Sequence, residues 1–437
     1  MIDDKPAQHW QIITLFPEFF ASPLDCGLLG KALKNDIFRV SFINPRDFSD
    51  NIHRHVDDRP YGGGAGMVMQ IDPMAKAIRS IDNPGRLILL SPRGRPFDEK
   101  YARDLSNEKT ISLVCGRYEG IDERLGQIFP IEHICTGPYI LNGGETAAMA
   151  VLEASVRLLP GFMGKIESAS EESFSDGLLE YPHYTRPEVY EGRQVPPILL
   201  GGNHKLINAW RREKSLESTL QYRPEMLDSA TMDSADVEYL KNIPRRRAAA
   251  NFSFCLIHHP VYLENGKTGT SSLTNLDIHD IARISCSYGM GSFYVVSPLH
   301  DQLNLLRDIT RHWTVGPGSQ ANPDRKKALE LVRPAESLAE AQAAVRERTG
   351  RLPYTLASSA AWPHKKDAGK LITAADARGI AAGHPVLLCL GTARGLAREL
   401  IAECDGILRP VRFISENHLS VRAAAAIMAD RIFGDYC

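Results

Sequence analysis

Apolar runs of strand length alternate with amphipathic, helix-period stretches through the first 160 residues. Trp10 to Phe16 reads as a strand ended by Pro17, a helical pattern follows from about Leu24 to Asn35, and Arg39 to Asn44 is a second strand. Beyond a long polar stretch come a helix from Pro73 to Ile81 and a strand from Arg86 to Ser91, with a turn at Pro92-Arg93-Gly94-Arg95. A helix from Asp98 to Ser106 and a strand from Ile111 to Cys115 continue the alternation, and an apolar helix from Glu145 to Leu159 is stopped by Pro160-Gly161. Strands and helices at this spacing predict a parallel α/β sheet with right-handed crossovers. Ligands in such sheets sit off the carboxyl ends of the strands, which puts Ser91 to Gly94, Gly116 to Gly120 and Thr136 to Leu141 on one rim. No G-x-G-x-x-G opens a helix after the first strand, so a dinucleotide fold is disfavoured.

The texture then changes. Residues 163–202 are polar and Pro-rich, Asn203 to Leu220 is a basic amphipathic helix with Trp210, Arg211, Arg212 and Lys214, and Asp233 to Asn242 is a short helix. Pro244-Arg245-Arg246-Arg247-Ala248 reads as a linker, and most of these charges fit a solvated helix face. A second α/β alternation begins at Phe252. Strands are expected at Phe252 to Ile257, Ser292 to Val296, Leu356 to Ser358 and Val386 to Leu390, and helices at Asp277 to Tyr288, Gln302 to Trp313, Leu338 to Thr349 and Ser420 to Phe433. The run Leu388-Cys389-Leu390-Gly391-Thr392-Ala393-Arg394-Gly395 echoes Leu113-Val114-Cys115-Gly116-Arg117-Tyr118-Glu119-Gly120. In both, a glycine loop follows an apolar strand and an Ala-rich helix closes the unit downstream, so the chain reads as two domains of similar architecture.

Composition narrows this picture a little. At 437 residues there is room for two or more domains with ample core. Lys+Arg 51 against Asp+Glu 53 gives no global basic field, so a nucleic-acid partner has to be met by local patches. The eight Cys are scattered, without a C-x-x-C pair and several within apolar runs, as expected of buried free thiols in a reducing compartment. The N-terminal stretch is no signal peptide and no apolar run nears a membrane span, so a soluble, cytoplasmic protein is expected.

Two stretches concentrate candidate chemistry. Between Gly116 and Gly144, two glycine-bearing loops with one tyrosine each end apolar runs, which suits a backbone-lined pocket for a small flat ligand. Turns alone also use glycine, but that reading covers the combined density of Gly, Tyr and charge poorly. The segment 45–69 is too polar for core and too Gly-rich for helix; its Asp57-Asp58-Arg59-Pro60-Tyr61 favours a working loop over a flexible linker. Gly62-Gly63-Gly64-Ala65-Gly66 lacks the following Lys-Ser/Thr of a Walker-type phosphate loop.

The motifs DDRPYGGGAGM (57–67), LSPRGR (90–95), LVCGRYEGIDER (113–124), YILNGGE (139–145) and GLLEYPHYTRPEV (177–189) resemble the bacterial tRNA (guanine-N1)-methyltransferase family, almost without gaps from about Trp10 to Asn242. That family is of the SPOUT class, in which the end of the sheet is tied in a trefoil knot that binds S-adenosylmethionine. Its members are homodimers that methylate N1 of the guanosine just 3′ of the tRNA anticodon, position 37. The resemblance implies a SPOUT domain over residues 1–162, a linker and helical tRNA-binding subdomain over 163–245, and no DNA or membrane partner. It implies a cofactor pocket of Leu90, Ser91, Pro92 and Gly94, of Cys115, Gly116, Tyr118, Glu119 and Gly120, and of Thr136, Gly137, Pro138, Tyr139, Ile140, Leu141, Gly143 and Gly144. Glu119 also reads as a solvated loop glutamate. Pro138 departs from the Asp often found there in the family and removes a backbone donor.

N1 of guanine is protonated at neutral pH, so the reaction needs a general base near N1 and a cation near O6. Arginine suits O6 by its fork geometry. By resemblance the cation is Arg157, which also reads as a surface residue capping its helix, and the base is Glu172, where the family commonly carries Asp. Asp176 and Glu180 are neighbouring carboxylates that would share the role or help hold magnesium, which the family uses. Asp58, Arg59, Tyr61, His183, Tyr184, Thr185 and Arg186 match motifs near the target guanine, and the helix around Arg211 and Arg212 is an implied anticodon-stem contact. The departures at Glu172 and Pro138 motivate an alternative, a catalytically weakened module that binds cofactor and RNA.

Over residues 251–437, TNLDIHDIAR (274–283), LLCLGTARGL (387–396) and NHLSVRAAAA (417–426) resemble a second SPOUT-type group of RNA methyltransferases. The implied overall fold is thus α/β with two SPOUT-type parallel-sheet domains. Leu390, Gly391, Thr392, Gly395, Pro410, Asn417, Leu419 and Ser420 would bind the same cofactor there. Ser420 equally reads as a helix N-cap, and Asp277 to Asp280 as a polar helix face.

Overall fold

The computed structural model of the protein describes residues 7–163, 172–243, 248–361, 369–412, 414 and 417–434. The expected linker at 244–247 and Glu171 of the base motif lie outside these residues. By internal contacts the chain divides into Met1–Glu180 and Tyr181–Cys437.

The first unit is built on a five-stranded parallel sheet of β1 (Gln8–Ile13), β2 (Phe38–Ile43), β3 (Arg86–Pro96), β4 (Thr110–Val114) and β5 (Glu132–Cys135), in the order β2-β1-β4-β3-β5. Strands buried on both faces read as near-continuous apolar runs. Alternate residues point to opposite faces. Trp10, Ile12, Ile111 and Leu113 enter one core with Phe20, Leu105 and Leu152, while Ile13 and Val114 enter another with Met69, Met74 and Ile78. The helices α1 (Gly27–Lys34), α2 (Ile71–Arg79), α3 (Glu99–Ser106) and α4 (Glu145–Val156) cover the faces. The Asp98 side chain caps α3 by accepting from Tyr101 N at 2.7 Å.

The expected turn after a strand ending at Ser91 is replaced by a loop thrown out of a longer strand. Both Leu90 and Arg95 register with Ile134, so residues 91–94 bulge out of β3 at the rim before it resumes. Gly94 is required where the strand rejoins, since a Cβ there would lie 2.4 Å from the Ile134 backbone.

The second unit begins with two helices, α5 (His204–Tyr222) and α6 (Ser234–Asn242), the latter opened by a capping box of Asp233 and Asp236. A seven-stranded parallel sheet follows. Its strands are β6 (Phe252–Ile257), β7 (Ser292–Val296), β8 (Val332–Ala335), β9 (Tyr354–Ser358), β10 (Leu371–Ile372), β11 (Val386–Gly391) and β12 (Gly406–Leu408), in the order β8-β7-β6-β11-β9-β12-β10. Two helices matter below, α7 (Asn275–Ser287) and α8 (Val421–Ile432). Strands β8, β10 and β12 were not expected: they are short, and Pro334 in β8 is tolerated because β8 is an edge. The described cysteines are all free thiols, and among the described residues no helix is long and apolar enough to cross a membrane.

Candidate active site

In the first unit a cavity of about 530 Å³ opens off the carboxyl ends of β3, β4 and β5. Leu90, Ser91, Pro92, Gly116, Tyr118, Glu119, Gly120, Thr136, Gly137, Tyr139, Ile140, Leu141, Gly143 and Gly144, all named above for the cofactor, line it. Three expected residues do not. Gly94 is turned against Ile134, Cys115 is fully buried with its thiol pushed up by burial, and Pro138 sits exposed between two lining neighbours.

Two loops meet closely to make this cavity. Gly144 N donates to Gly116 O at 2.9 Å, and a Cβ on Gly144 would lie 2.7 Å from Cys115 Cα. Tyr118 holds φ 58° and Gly120 φ 133°, with Gly120 N donating to Arg117 O at 3.2 Å. The tyrosine's left-handed backbone is unusual for a bulky side chain and turns its ring outward, half exposed. Tyr139 lies over Gly137, where a Cβ would come 2.3 Å from the ring.

An ion pair that the motifs left without a role holds the loops together. Arg117 Nη2 is 2.9 Å from Glu145 Oε2 and its Nε 3.2 Å from Oε1, while Thr14 Oγ1 donates to the same carboxylate at 2.8 Å. Glu145 is 1% exposed, and Arg117 stacks on Phe16 at 4.4 Å. The signal was an Arg inside one glycine loop and a Glu closing the other. Its third member, Thr14, is far away in sequence.

The segment 45–69 closes one side of the cavity. Asp57–Asp58 pairs with Val68–Met69 in a two-stranded ribbon, and Met69 N donates to Gly120 O and Glu119 N to Met67 O. Gly66 fits against the Glu119 side chain, where a Cβ would be 2.5 Å from Cγ. Asp58 Oδ1 accepts from Arg59 N, and Arg59 and Tyr61, the latter 99% exposed, project from the ribbon.

Arg157 and Glu172 are brought together. Nη1 and Nη2 of the arginine donate to Oε2 and Oε1 of the carboxylate at 2.6 and 2.7 Å, a bidentate pair about a third exposed on both sides. The hydrogen bonds from Arg157 hold the Glu172 carboxyl below its ordinary range, and the carboxylate raises the arginine. Glu99 at the start of α3 senses both groups, and burial lifts its carboxyl.

In the second unit, His183 rests 4.9 Å from the Tyr181 ring, Tyr184 lies 6.3 Å from Trp210, and the Arg211 guanidinium covers Tyr181 at 4.8 Å. Arg186 is exposed. Arg212, implied beside Arg211 as an anticodon-stem contact, binds Asp236 at 2.7 Å and Thr231 O at 2.6 Å and ties α5 to α6.

A second cavity, of about 1050 Å³, lies off β11. Of the residues expected there, Leu390, Gly391, Gly395, Asn417 and Leu419 line it. The other three do not: Thr392 is turned inward to Ile257 O at 2.9 Å, Pro410 is buried, and Ser420 caps α8 by accepting from Ala423 N. The sequence echo is also a conformational one. Ala393 and Gly395 have φ 51° and 103°, and Gly395 N donates to Thr392 O at 2.9 Å, repeating the turn of Tyr118 and Gly120.

Residues 9–229 match the family described as tRNA (Guanine-1)-methyltransferase TrmD, and residues 251–434 match one described as SAM-dependent RNA methyltransferase. A tRNA (guanine-N(1)-)-methyltransferase of Nitratidesulfovibrio vulgaris is 52% identical over 425 residues, 97% of this chain and 99% of that protein. One from Oleidesulfovibrio alaskensis is 52% identical over 428 residues, 98% of this chain and 99% of its own length. A shorter protein of the same name from Pelotomaculum thermopropionicum is 49% identical over 237 residues, 53% of this chain and 94% of its own length. The chain therefore belongs to the tRNA (guanine-N1)-methyltransferase family, in a form that carries a second, SAM-dependent RNA methyltransferase domain behind the first.

Proposed function

We propose that the first unit methylates N1 of the guanosine 3′ of the tRNA anticodon, with Arg157 and Glu172 acting on the base. The observation that carries this reading is their bidentate pair. It presents a carboxylate acceptor beside guanidinium donors, and the N1–H and O6 edge of guanine is the complementary pattern. Arg157 spends two of its five donors on Glu172, and each carboxylate oxygen keeps a free lone pair, so both groups can meet the base without first separating. Glu172 takes the N1 proton while Arg157 neutralises the charge gathering on O6.

The first cavity fits S-adenosylmethionine. Its volume is in the usual small-ligand range. Main-chain groups of both glycine loops line it, Tyr118 and Tyr139 offer stacking faces, and the Gly144 contact leaves no room for a side chain on the wall. When bound there, the donor supplies an electrophilic methyl on a sulfonium sulfur. Arg117 and Glu145 fix the walls, and Glu119 is a lining carboxylate that can balance the cation.

The close passage of residues 142–144 across Gly116 supports a trefoil knot. Tyr139, Ile140 and Leu141 are exposed at the cavity mouth, which supports a homodimer that covers them. Residues 163–245 are assigned to a linker and tRNA-binding subdomain, with His183, Tyr184, Arg186 and Arg211 as tRNA contacts, alongside Asp58, Arg59 and Tyr61 from the first unit. The second cavity is assigned to the methyl donor of the second domain, and the protein to the cytoplasm. The magnesium that the resemblance implies would be held by Asp176 and Glu180, since Mg2+ commonly uses one or two carboxylates and keeps several waters; among the described residues no group of three or more His, Cys, Asp or Glu gathers in one place.

The test is methyl transfer from labelled S-adenosylmethionine to two tRNA transcripts that differ only in G or A after the anticodon. Transfer to the G transcript, located at N1, is expected. Equal transfer to both, or to neither, overturns the reading.

A further inference from the structure

His258 directly follows β6 at the carboxyl ends of the second sheet and is fully buried. Its Nδ1 lies 2.9 Å from Ser271 Oγ, Ser271 Oγ lies 2.5 Å from Thr392 Oγ1, and Thr392 Oγ1 donates to Ile257 O at 2.9 Å. A hydroxyl has one hydrogen. Thr392 spends its own on Ile257, so Ser271 must donate to Thr392, and His258 must donate from Nδ1 to Ser271. Nε2 is therefore left with a lone pair. Among the described residues it has no hydrogen-bond partner, although it is out of contact with water. Such an acceptor is expensive to bury and calls for an explanation. Burial also pushes the imidazole down to about 4, against the smaller opposing pull of the Asp277 carboxylate, so the ring is neutral and open to a proton.

Asp277, in the first turn of α7, is itself buried. It accepts from the Thr274 hydroxyl and from Arg422 Nη1 at 3.0 Å, and Arg422 Nε reaches Asp280 at 3.5 Å. Arg422 is more than a third exposed. The cluster shares its segments with the second cavity: Thr392 stands between the lining residues Gly391 and Ala393, and Arg422 follows the lining residue Val421. A purely structural tie between α7 and α8 needs no ions, since apolar contacts serve as well. Nor does such a tie account for the lone pair on His258.

We propose that His258, Asp277 and Arg422 are the acceptor side of the second domain's methyl-transfer site, receiving an RNA nucleotide whose accepting nitrogen or oxygen carries a proton. The proposal rests on the reading of that domain as an RNA methyltransferase. Arg422 turns from Asp277 to the oxyanion or keto oxygen of the nucleotide. That movement has to admit the nucleotide to His258, which is fully buried at rest, and it leaves the Asp277 charge that acts on the imidazole unopposed, which strengthens the imidazole as a base. The accepting atom then forms a bond to the methyl carbon, the methyl–sulfonium bond breaks with its electron pair going to sulfur, and the accepting atom's proton passes to His258 Nε2. An arginine resting on a carboxylate is the arrangement of Arg157 and Glu172 in the first unit, here reached from different elements.

The test uses the full chain carrying Glu172→Gln and Arg157→Ala to silence the first site, a pool of unmodified tRNA and ribosomal RNA transcripts, and tritiated S-adenosylmethionine. The silenced chain is expected to transfer methyl to an atom that was protonated, such as a uridine N3, a guanine N1 or a ribose 2′-hydroxyl. Adding His258→Gln or Asp277→Asn should cut that transfer by about 100-fold or more, and Arg422→Lys by about 10-fold or more. Binding of S-adenosylhomocysteine to the second site should stay within about 3-fold, because none of the three residues lines the cavity. Transfer unchanged by these substitutions, loss of transfer together with cofactor binding, or methyl found on an atom with a free lone pair (guanine N7, adenine N1) each overturns the proposal. No transfer at all by the silenced chain overturns the methyltransferase reading of the domain, a result separable from the others.

Discussion

The Arg157–Glu172 pair makes the sharpest demand on experiment. Replacing Glu172 with Gln keeps the shape of the side chain and one acceptor but removes its capacity to take a proton. General-base catalysis is worth about 10²–10⁴-fold, or roughly 3–5 kcal/mol of barrier, so single-turnover methyl transfer at pH 7.5 should fall by that factor while cofactor affinity is unchanged. The ion pair sets the pH dependence. Arg157 holds the Glu172 carboxyl below the ordinary range, so the active carboxylate persists as pH falls and is lost only below the usual value of about 4.5. Arg157→Ala removes the cause of the depression, so the acid limb of kcat/KM should move to higher pH as the rate drops. Glu172→Asp tests the geometry. Shortening the stem by one carbon moves the carboxylate by about 1.5 Å from where Arg157 grips it. Displacements near 1 Å can cost about 100-fold. Here aspartate should therefore be the poorer base, although the family commonly carries it. Glu172→Gln within 10-fold of wild type, or an acid limb that ignores Arg157, would refute the reasoning.

Gly144→Ala pushes a methyl to 2.7 Å from Cys115 Cα, overpacking worth about 1–3 kcal/mol, and should raise the cofactor Kd measured by calorimetry by roughly 10-fold. Arg117→Ala leaves the buried Glu145 carboxylate with the Thr14 hydroxyl as its remaining charge-stabilising side-chain contact among the described residues, which should destabilise the first unit by about 3–5 kcal/mol in urea titrations followed by the fluorescence of buried Trp10. Glu145→Gln should cost less, because Arg117 can turn toward solvent. Arg212→Met should lower thermal stability, by roughly 1–3 kcal/mol, yet leave the salt dependence of tRNA binding unchanged, whereas Arg211→Ala should reduce that slope by about 1.

The architecture was legible where local pattern and burial agree. Phe252 to Ile257 and Ser292 to Val296 are strands to the residue, because runs buried on both faces leave little freedom in where they end. The rim was legible for the same reason: glycine loops after apolar strands have one place to go. What escaped depends on partners far away in sequence. The 91–94 bulge exists because Ile134 pairs with both Leu90 and Arg95, and nothing near Ser91 announces that. Arg212 looks like its neighbour Arg211 until Asp236 stands opposite it. Thr392 carries a loop motif but serves a strand carbonyl on β6, and Pro138, a visible departure within a binding motif, lies on the outer side of its loop.

Resting an arginine on the carboxylate proposed as the base resolves a conflict that the first site faces. A pocket that takes in a flat base must be partly dry, and a dry pocket raises a carboxyl toward its neutral, useless form. An arginine alongside keeps the group ionised, at the expense of some basicity. That expense is recovered only if the substrate offers the arginine something else to neutralise at the moment the proton moves. Guanine does so, since loss of the N1 proton places charge on O6 within reach of the same guanidinium. A base with no such oxygen would leave Arg157 holding Glu172 in its weakly basic state, and would be rejected in the chemical step even if it bound. On the proposed reading of the first site, then, the ion pair that keeps Glu172 ionised would also be the device that selects guanosine.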